Sequence, residues 1–245
     1  MVRRMLGTAR RTVPDACAAL RMSTTGSRIA TTVMVTCAVL MTAIVVEQEW
    51  TRRSNPPRPM NVGAFAQPDW MDFAREGQRI GPDRAAAVLV VFSDYQCPYC
   101  AQLEQRLAAL RSRYSNDLAV VYRHFPLANH PAAVDAAIAS ECAATQGSFE
   151  AMHAALFAVQ PQLGALHWDS IAVRAGVPNL SAFNDCMDSG EAQIRIDSDV
   201  DAASSFGARV TPILLGGGTR MLGAPPEAVL DSLIRSELRS QTAKR

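Results

Sequence analysis

The distribution of apolar positions divides the chain into segments of different character. From Ile29 to Val46 no charged residue interrupts a mainly apolar run. As a helix rising about 1.5 Å per residue it reaches roughly 27 Å, close to the thickness of a bilayer core. A second apolar run, Ala85 to Phe92, is short, continuous and bounded by turn signals, as expected of a strand buried on both faces. The segment from Ala101 to Tyr114 reads as a helix, Ser115-Asn116-Asp117 as a turn and Leu118 to Phe125 as a second strand. Such a βαβ unit places its two strands parallel, with a right-handed connection. An alanine-rich region follows, with helices expected over Pro131 to Thr145, Phe149 to Val159, Trp168 to Ala175, Leu180 to Asp188 and Glu191 to Phe206. Val210 to Leu215 and Thr219 to Leu222 read as a hairpin around Gly216-Gly217-Gly218. Pro226 to Arg239 closes the chain as a helix, with proline in its first turn. The order β-α-β, several helices, β-β-α makes this an α/β chain whose middle, about residues 127–206, is a helical insertion.

Composition changes the picture mainly at the N-terminus. The 245 residues carry a net charge of +1, with 19% charged residues, which argues against a nucleic-acid partner. The basic excess is local: Arg3, Arg4, Arg10, Arg11, Arg21 and Arg28 stand against the single acid Asp15 in residues 1–28. Arginine on that side places residues 1–28 in the cytoplasm and makes 29–46 a transmembrane anchor. A cleaved signal peptide is the competing reading. The apolar run exceeds the usual core of a signal peptide, and Val46-Glu47-Gln48-Glu49 offers no small-residue cleavage site, so the anchor is favoured. Residues 47–82 read as a proline-rich linker containing a short lead-in helix over part of Asp69 to Pro82, with the folded part, 83–245, beginning near Asp83. Everything after the anchor then lies on the periplasmic or extracytoplasmic side, a setting that permits disulfides.

The candidate chemistry is concentrated in Cys97-Pro98-Tyr99-Cys100, which follows the first strand and opens the first helix. Two cysteines at that spacing can reach the Cα separation of about 4.4–6.8 Å that a disulfide needs. The first also lies where unpaired backbone N–H groups favour a thiolate. Half of a zinc site is the main competitor, but Cys17, Cys37, Cys142 and Cys186 are dispersed and the four histidines lack ligand spacing. Redox chemistry is therefore expected, with no metal and no other cofactor. A helix N-terminus supplies up to ~2 kcal/mol, or roughly 1.5 pK units, which alone brings Cys97 to about 7. Cys100, one turn into the helix, is expected to be more buried and to act as the resolving thiol.

Phe92 to Cys100 resembles the active-site strand end of the DsbA-like branch of the thioredoxin superfamily. Tyr122 to Leu127, Cys142 to Gly147 and Val210-Thr211-Pro212 resemble the same branch, so the similarity covers about residues 83–240. It implies a thioredoxin fold interrupted by a helical domain, and disulfide exchange with protein thiols outside the cytoplasm. It also implies a membrane redox partner that resets the site, and a cis-proline at Pro212, with Thr211 offering backbone groups to an extended substrate. Tyr99 stands where the strongest oxidants of the family carry histidine, which implies a less depressed thiolate than theirs. Val91 stands where the family often carries a buried acid, leaving the Cys100 proton to water or to Asp94, expected at an exposed strand end.

Cys142 and Cys186 fall on different helices and are expected to form a structural disulfide, with two inert buried thiols as the alternative. His124 and His130 are expected to serve structure or surface solvation. Two further readings stay open at this point: a thioredoxin-like peptide-binding or chaperone module without turnover, and a disulfide reductase or isomerase.

Overall fold

The computed structural model describes residues 33–43, 47 and 64–243. The basic segment 1–28, residues 29–32 and 44–46 of the expected anchor, and 48–63 of the expected linker lie outside the described residues. Residues 33–43 are helical and exposed. Among the described residues no helix is long and apolar enough to cross a membrane.

Six strands form one sheet: β1 (Ala64–Ala66), β2 (Gln78–Ile80), β3 (Ala87–Ser93), β4 (Leu118–His124), β5 (Ile213–Gly216) and β6 (Thr219–Leu222). Their order is β1-β6-β5-β3-β4-β2. β3 and β4 run parallel, while β5 is antiparallel to β3 and to β6. The central strands β3 and β4 are mostly apolar, with Arg123 and His124 buried at the end of β4, because helices or loops cover both sheet faces. Leu89 and Val91 pack in one cluster with Leu103, Leu107 and Leu110 of α1 (Pro98–Arg113) and with Leu230 and Ile234 of α7 (Glu227–Ala243). The alternate residues Val90 and Phe92 pack on the other side with Trp70, Val121, Ile213 and Leu215. Each fully buried leucine or phenylalanine here contributes about 1.5–3 kcal/mol of transfer free energy.

The stretch 64–80 is not a linker. β1 pairs with β6 and β2 pairs with β4, so it supplies both edges of the sheet. Between them a 3₁₀ turn, Trp70–Ala74, buries Trp70 and sets Phe73 edge-on to Phe92 and Phe206 at 5.9 and 5.1 Å. Strands of three residues carry too few positions to display an alternating pattern, so the nearby prolines are the stronger signal in the sequence.

The three hairpin glycines have separate roles. Gly217 and Gly218, with φ of +57° and +74°, form the two-residue turn whose twist suits a hairpin. A Cβ on Gly216 would lie 2.6 Å from Leu89 Cδ2, so a side chain there would displace the buried Leu89 side chain.

Five helices lie between β4 and β5: α2 (Ala133–Ala144), α3 (Phe149–Ala158), α4 (Trp168–Arg174), α5 (Leu180–Ser189) and α6 (Glu191–Ser205). Their core includes Ala136, Ala139, Met152, Leu156, Ile171 and Phe183. A disulfide joins Cys142 on α2 to Cys186 on α5, with an S–S distance of 1.98 Å and a Cα separation of 5.6 Å.

Candidate active site

β3 ends at Ser93, the chain turns through Asp94 to Gln96, and Cys97 becomes the N-cap of α1. Pro98 suits the first helical position because an N–H there would have no intrahelical partner. The Cys97 carbonyl accepts from the N–H groups of Cys100 and Ala101 at 3.0 and 3.2 Å, which starts the helix. The Cys97 sulfur thus stands where a capping oxygen usually stands, against the free N–H groups of the first turn.

The two sulfurs are free thiols in this structure, and their environments differ. Cys97 falls from an ordinary 9.0 to about 6. The largest cause is the hydrogen bond from the Cys100 thiol; burial opposes it, and Thr211 and the N–H groups of Cys100 and Tyr99 add to the depression. Beyond the N–H groups of the helix terminus, the Cys100 thiol and Thr211 are the further donors. Cys100 is 1% exposed, and burial pushes its pKa well above the ordinary value. The Asp94 N–H donates to the Cys100 sulfur at 3.4 Å.

The segment before β5 closes the site. Thr211–Pro212 is a cis peptide bond. The Cys97 thiol donates to the Thr211 carbonyl at 3.5 Å. The Thr211 hydroxyl is buried and makes no hydrogen bond in this structure, and it favours the ionised Cys97 sulfur. Tyr99, at 36% exposure, and Val210, at 46%, leave apolar surface beside the sulfur. Cys97, Pro98, Tyr99, Cys100, Thr211 and Pro212 therefore converge, whereas Cys142 and Cys186 belong to the helical insertion.

Asp94 is not at an exposed strand end; it is 2% exposed. Its carboxylate accepts from the N–H groups of Gln96 and Leu127 at 2.7 and 2.9 Å and contacts His130 Nδ1 at 2.6 Å. These partners fix the turn and leave Asp94 tied to the loop after β4. His130 accordingly has a structural contact.

The buried acid nearest in sequence to the thiols on their own helix is Glu104, a residue to which the sequence reading assigned no role. It lies one turn beyond Cys100. Glu104 accepts from the Tyr122 hydroxyl at 2.6 Å and from Arg111 at 2.8 Å. His153 Nε2 faces it at 3.1 Å, and His153 Nδ1 meets the Tyr95 hydroxyl at 2.9 Å. The i,i+4 spacing from Cys100 was the available sequence signal, because it puts both side chains on one helix face. His153 and Gln160 gave no such signal. Gln160 Nε2 donates to the Tyr95 and Cys97 carbonyls at 2.6 and 3.0 Å. Among the described residues no group of three or more His, Cys, Asp or Glu side chains is placed to hold a metal ion.

A family model described as thioredoxin matches residues 74–236. The chain belongs to the thioredoxin family. The thioredoxin fold also relates it to a periplasmic thioredoxin-like protein from Salmonella enterica serovar Typhimurium, with a TM-score of 0.56 and 26% identity over 66% of this chain and 89% of that one. The thiol-disulfide exchange protein alpha-DsbA2 from Wolbachia pipientis has the same fold, with a TM-score of 0.59 over 69% of this chain and 90% of that one, at 18% identity. The expected membership of the thioredoxin superfamily is thus borne out, and the alpha-DsbA2 protein shares the fold. The chain is also 35% identical over 185 residues to a Na(+)/H(+) antiporter NhaA 1 from Mycolicibacterium gilvum. That match covers 74% of this chain but 29% of the relative, so the chain spans less than a third of that relative's length.

Proposed function

We propose that this thioredoxin-family domain catalyses thiol–disulfide exchange with exported proteins through Cys97 and Cys100. The observation that carries the reading is the placement of two thiols at one helix start, Cys97 at the N-cap with its sulfur 3.5 Å from the carbonyl of the cis-bonded Thr211 and Cys100 buried within the first turn. These surroundings displace them in opposite directions, Cys97 down to about 6 and Cys100 well up. A stabilised Cys97 thiolate is a good leaving group, and a buried, high-pKa Cys100 is suited to wait until a mixed disulfide forms beside it. In the oxidising direction a substrate thiolate attacks Cys97 of the Cys97–Cys100 disulfide. A substrate–Cys97 disulfide forms and Cys100 leaves as a thiolate that takes up a proton. The substrate's second thiolate then attacks the substrate sulfur of that mixed disulfide. The substrate leaves with a disulfide, and both active-site cysteines are reduced. A membrane redox partner removes the two electrons and resets the site.

Pro98 and Tyr99 shape the turn, and Thr211 and Pro212 present the edge along which an extended substrate lies. We further propose that residues 29–46 anchor the chain, with residues 1–28 cytoplasmic and the domain on the periplasmic or extracytoplasmic side. The arginine-rich flank, the Cys142–Cys186 disulfide and the periplasmic relative support that placement. The antiport for which the longer relatives are named is not part of the proposal, since the chain spans 29% of the length of the relative above.

The test is Cys97→Ser in the full chain, assayed for oxidation of a reduced protein substrate. Loss of turnover supports the proposal. Full retention would place the turnover on a group other than Cys97 and refute it, whereas wild-type protein that binds the substrate without oxidising it would make the domain a peptide-binding module.

A further inference from the structure

The redox turn is held from outside the thioredoxin unit, and one side chain bonds the backbone carbonyl of the reactive cysteine itself. Gln160 lies just past Val159, the C-cap of α3, and opens a 3₁₀ turn, Gln160–Gln162, with Pro161 next to it. Its amide nitrogen has two hydrogens. They go to two carbonyls of the turn, Tyr95 O at 2.6 Å and Cys97 O at 3.0 Å. The rest of α3 grips the same turn. Phe157 packs against the Tyr95 ring at 5.0 Å, and His153 meets the Tyr95 hydroxyl at 2.9 Å. Gln96 reaches the other way, its side-chain oxygen accepting from the Ala132 N–H at 2.6 Å.

We propose that Gln160 is a positioning residue for the reactive cysteine: its amide clamps the Tyr95 and Cys97 carbonyls and thereby aims the first-turn N–H groups of α1 at the Cys97 sulfur. The proposal rests on exchange chemistry at Cys97. The reason is geometric. Cys97 has no side-chain cap bond to hold the first turn, unlike Asn179, whose side chain accepts from the Ala182 N–H at the start of α5. A helix whose N-cap is a thiol lacks a strong capping acceptor, so its entry angle must be fixed by something else. The Cys97 carbonyl is the atom through which that fixing acts, because it also accepts from the Cys100 and Ala101 N–H groups. Holding this carbonyl holds the peptide planes that follow it, and those planes carry the N–H groups of Tyr99 and Cys100 that favour the thiolate. The helical insertion thus sets the reactivity of a cysteine that belongs to the thioredoxin unit.

Two variants test this, Gln160→Met, which keeps length and removes the donors, and Gln160→Ala, which removes the side chain. The measurements are the pH profile of alkylation at Cys97 and the equilibrium of the Cys97–Cys100 couple with glutathione. The expected result is an alkylation midpoint higher by about half to one pH unit. Loss of thiolate stabilisation makes the couple less oxidising, by up to about tenfold in the exchange constant, or about 30 mV for two electrons. A purely structural role lowers the thermal midpoint and leaves both readouts where they are, and that result overturns the proposal. Should both variants fail to fold, the wild-type chain still decides: NMR of the Gln160 side-chain amide should show its protons shifting with the Cys97 titration, and an amide indifferent to it ends the idea. Failure of the underlying reading looks different, because then the wild-type protein itself shows no glutathione-dependent couple.

Discussion

Glu104→Gln isolates a buried charge that the fold depends on. Glu104 has two oxygens and three neighbours: Arg111 at 2.8 Å, the Tyr122 hydroxyl at 2.6 Å and His153 at 3.1 Å. Burial opposes its ionisation, but the bond to His153 and the Arg111 guanidinium outweigh that cost and carry its pKa from 4.5 to about 2. Burial also pushes His153 below its ordinary value, so the permanent cation of the group is Arg111. A carboxylate with a depressed pKa stabilises the fold in full above its unfolded value, and that contribution drains away as pH falls through the folded value. The window here is pH 4.5 down to about 2. The difference between those two values corresponds to about 3 kcal/mol. Glutamine keeps the shape and one acceptor but leaves Arg111, whose side chain is 14% exposed, without its counter-charge. Urea unfolding at stepped pH should find the variant less stable by about 3 kcal/mol at pH 7, with the gap closing as both proteins are taken toward pH 2. A gap that stays constant across the acid range, or no gap at neutral pH, refutes the reasoning.

Replacing both Cys142 and Cys186 with alanine opens a loop with a sequence separation of 44. The chain-entropy model gives a loss of about 4 kcal/mol in unfolding free energy, measurable by denaturant titration, with the Cys97 alkylation profile unmoved. An unchanged stability would mean that the helical insertion does not need the cross-link. Thr211→Val removes the hydroxyl that favours the Cys97 thiolate, so the alkylation midpoint should rise from about 6 by about half to one pH unit. A midpoint that does not move assigns the depression to the helix and the Cys100 thiol instead. In the wild-type protein that midpoint should itself lie near 6, and a value below about 5 contradicts the argument that neutral Tyr99 limits the depression.

The parts of the fold that were legible in the sequence are those with long, uniform patterns. The run that contains β3 is apolar at every position because both faces of the strand are covered, and the Cys-x-x-Cys pair marks where α1 begins. The helices of the insertion are set apart by glycine and proline; four of the five begin at the expected residue, the first begins two residues later, and each ends within one residue of expectation. What escaped the reading depends on contacts distant in sequence. β1 and β2 have three residues each, so their place at the sheet edges follows from pairing partners rather than from their own pattern. Asp94 reads as a solvent-facing acid, yet the N–H groups of Gln96 and Leu127 pull its carboxylate inward. The Val91 position lacks an acid, while Glu104 on α1 is buried one turn beyond Cys100, and its partner His153 comes from α3. Gln160 shows the limit most plainly. Nothing in Val159-Gln160-Pro161 distinguishes it from a surface glutamine until α3 is docked against the redox turn.

The central claim is that Cys97 and Cys100 form a reversible two-electron couple. Equilibrating the protein across a series of glutathione ratios, trapping thiols with an alkylating agent and locating them by mass spectrometry tests it most directly. The account predicts a single transition confined to Cys97 and Cys100, with Cys142 and Cys186 joined throughout. Cysteines at 97 and 100 that keep one oxidation state over the whole series would contradict it.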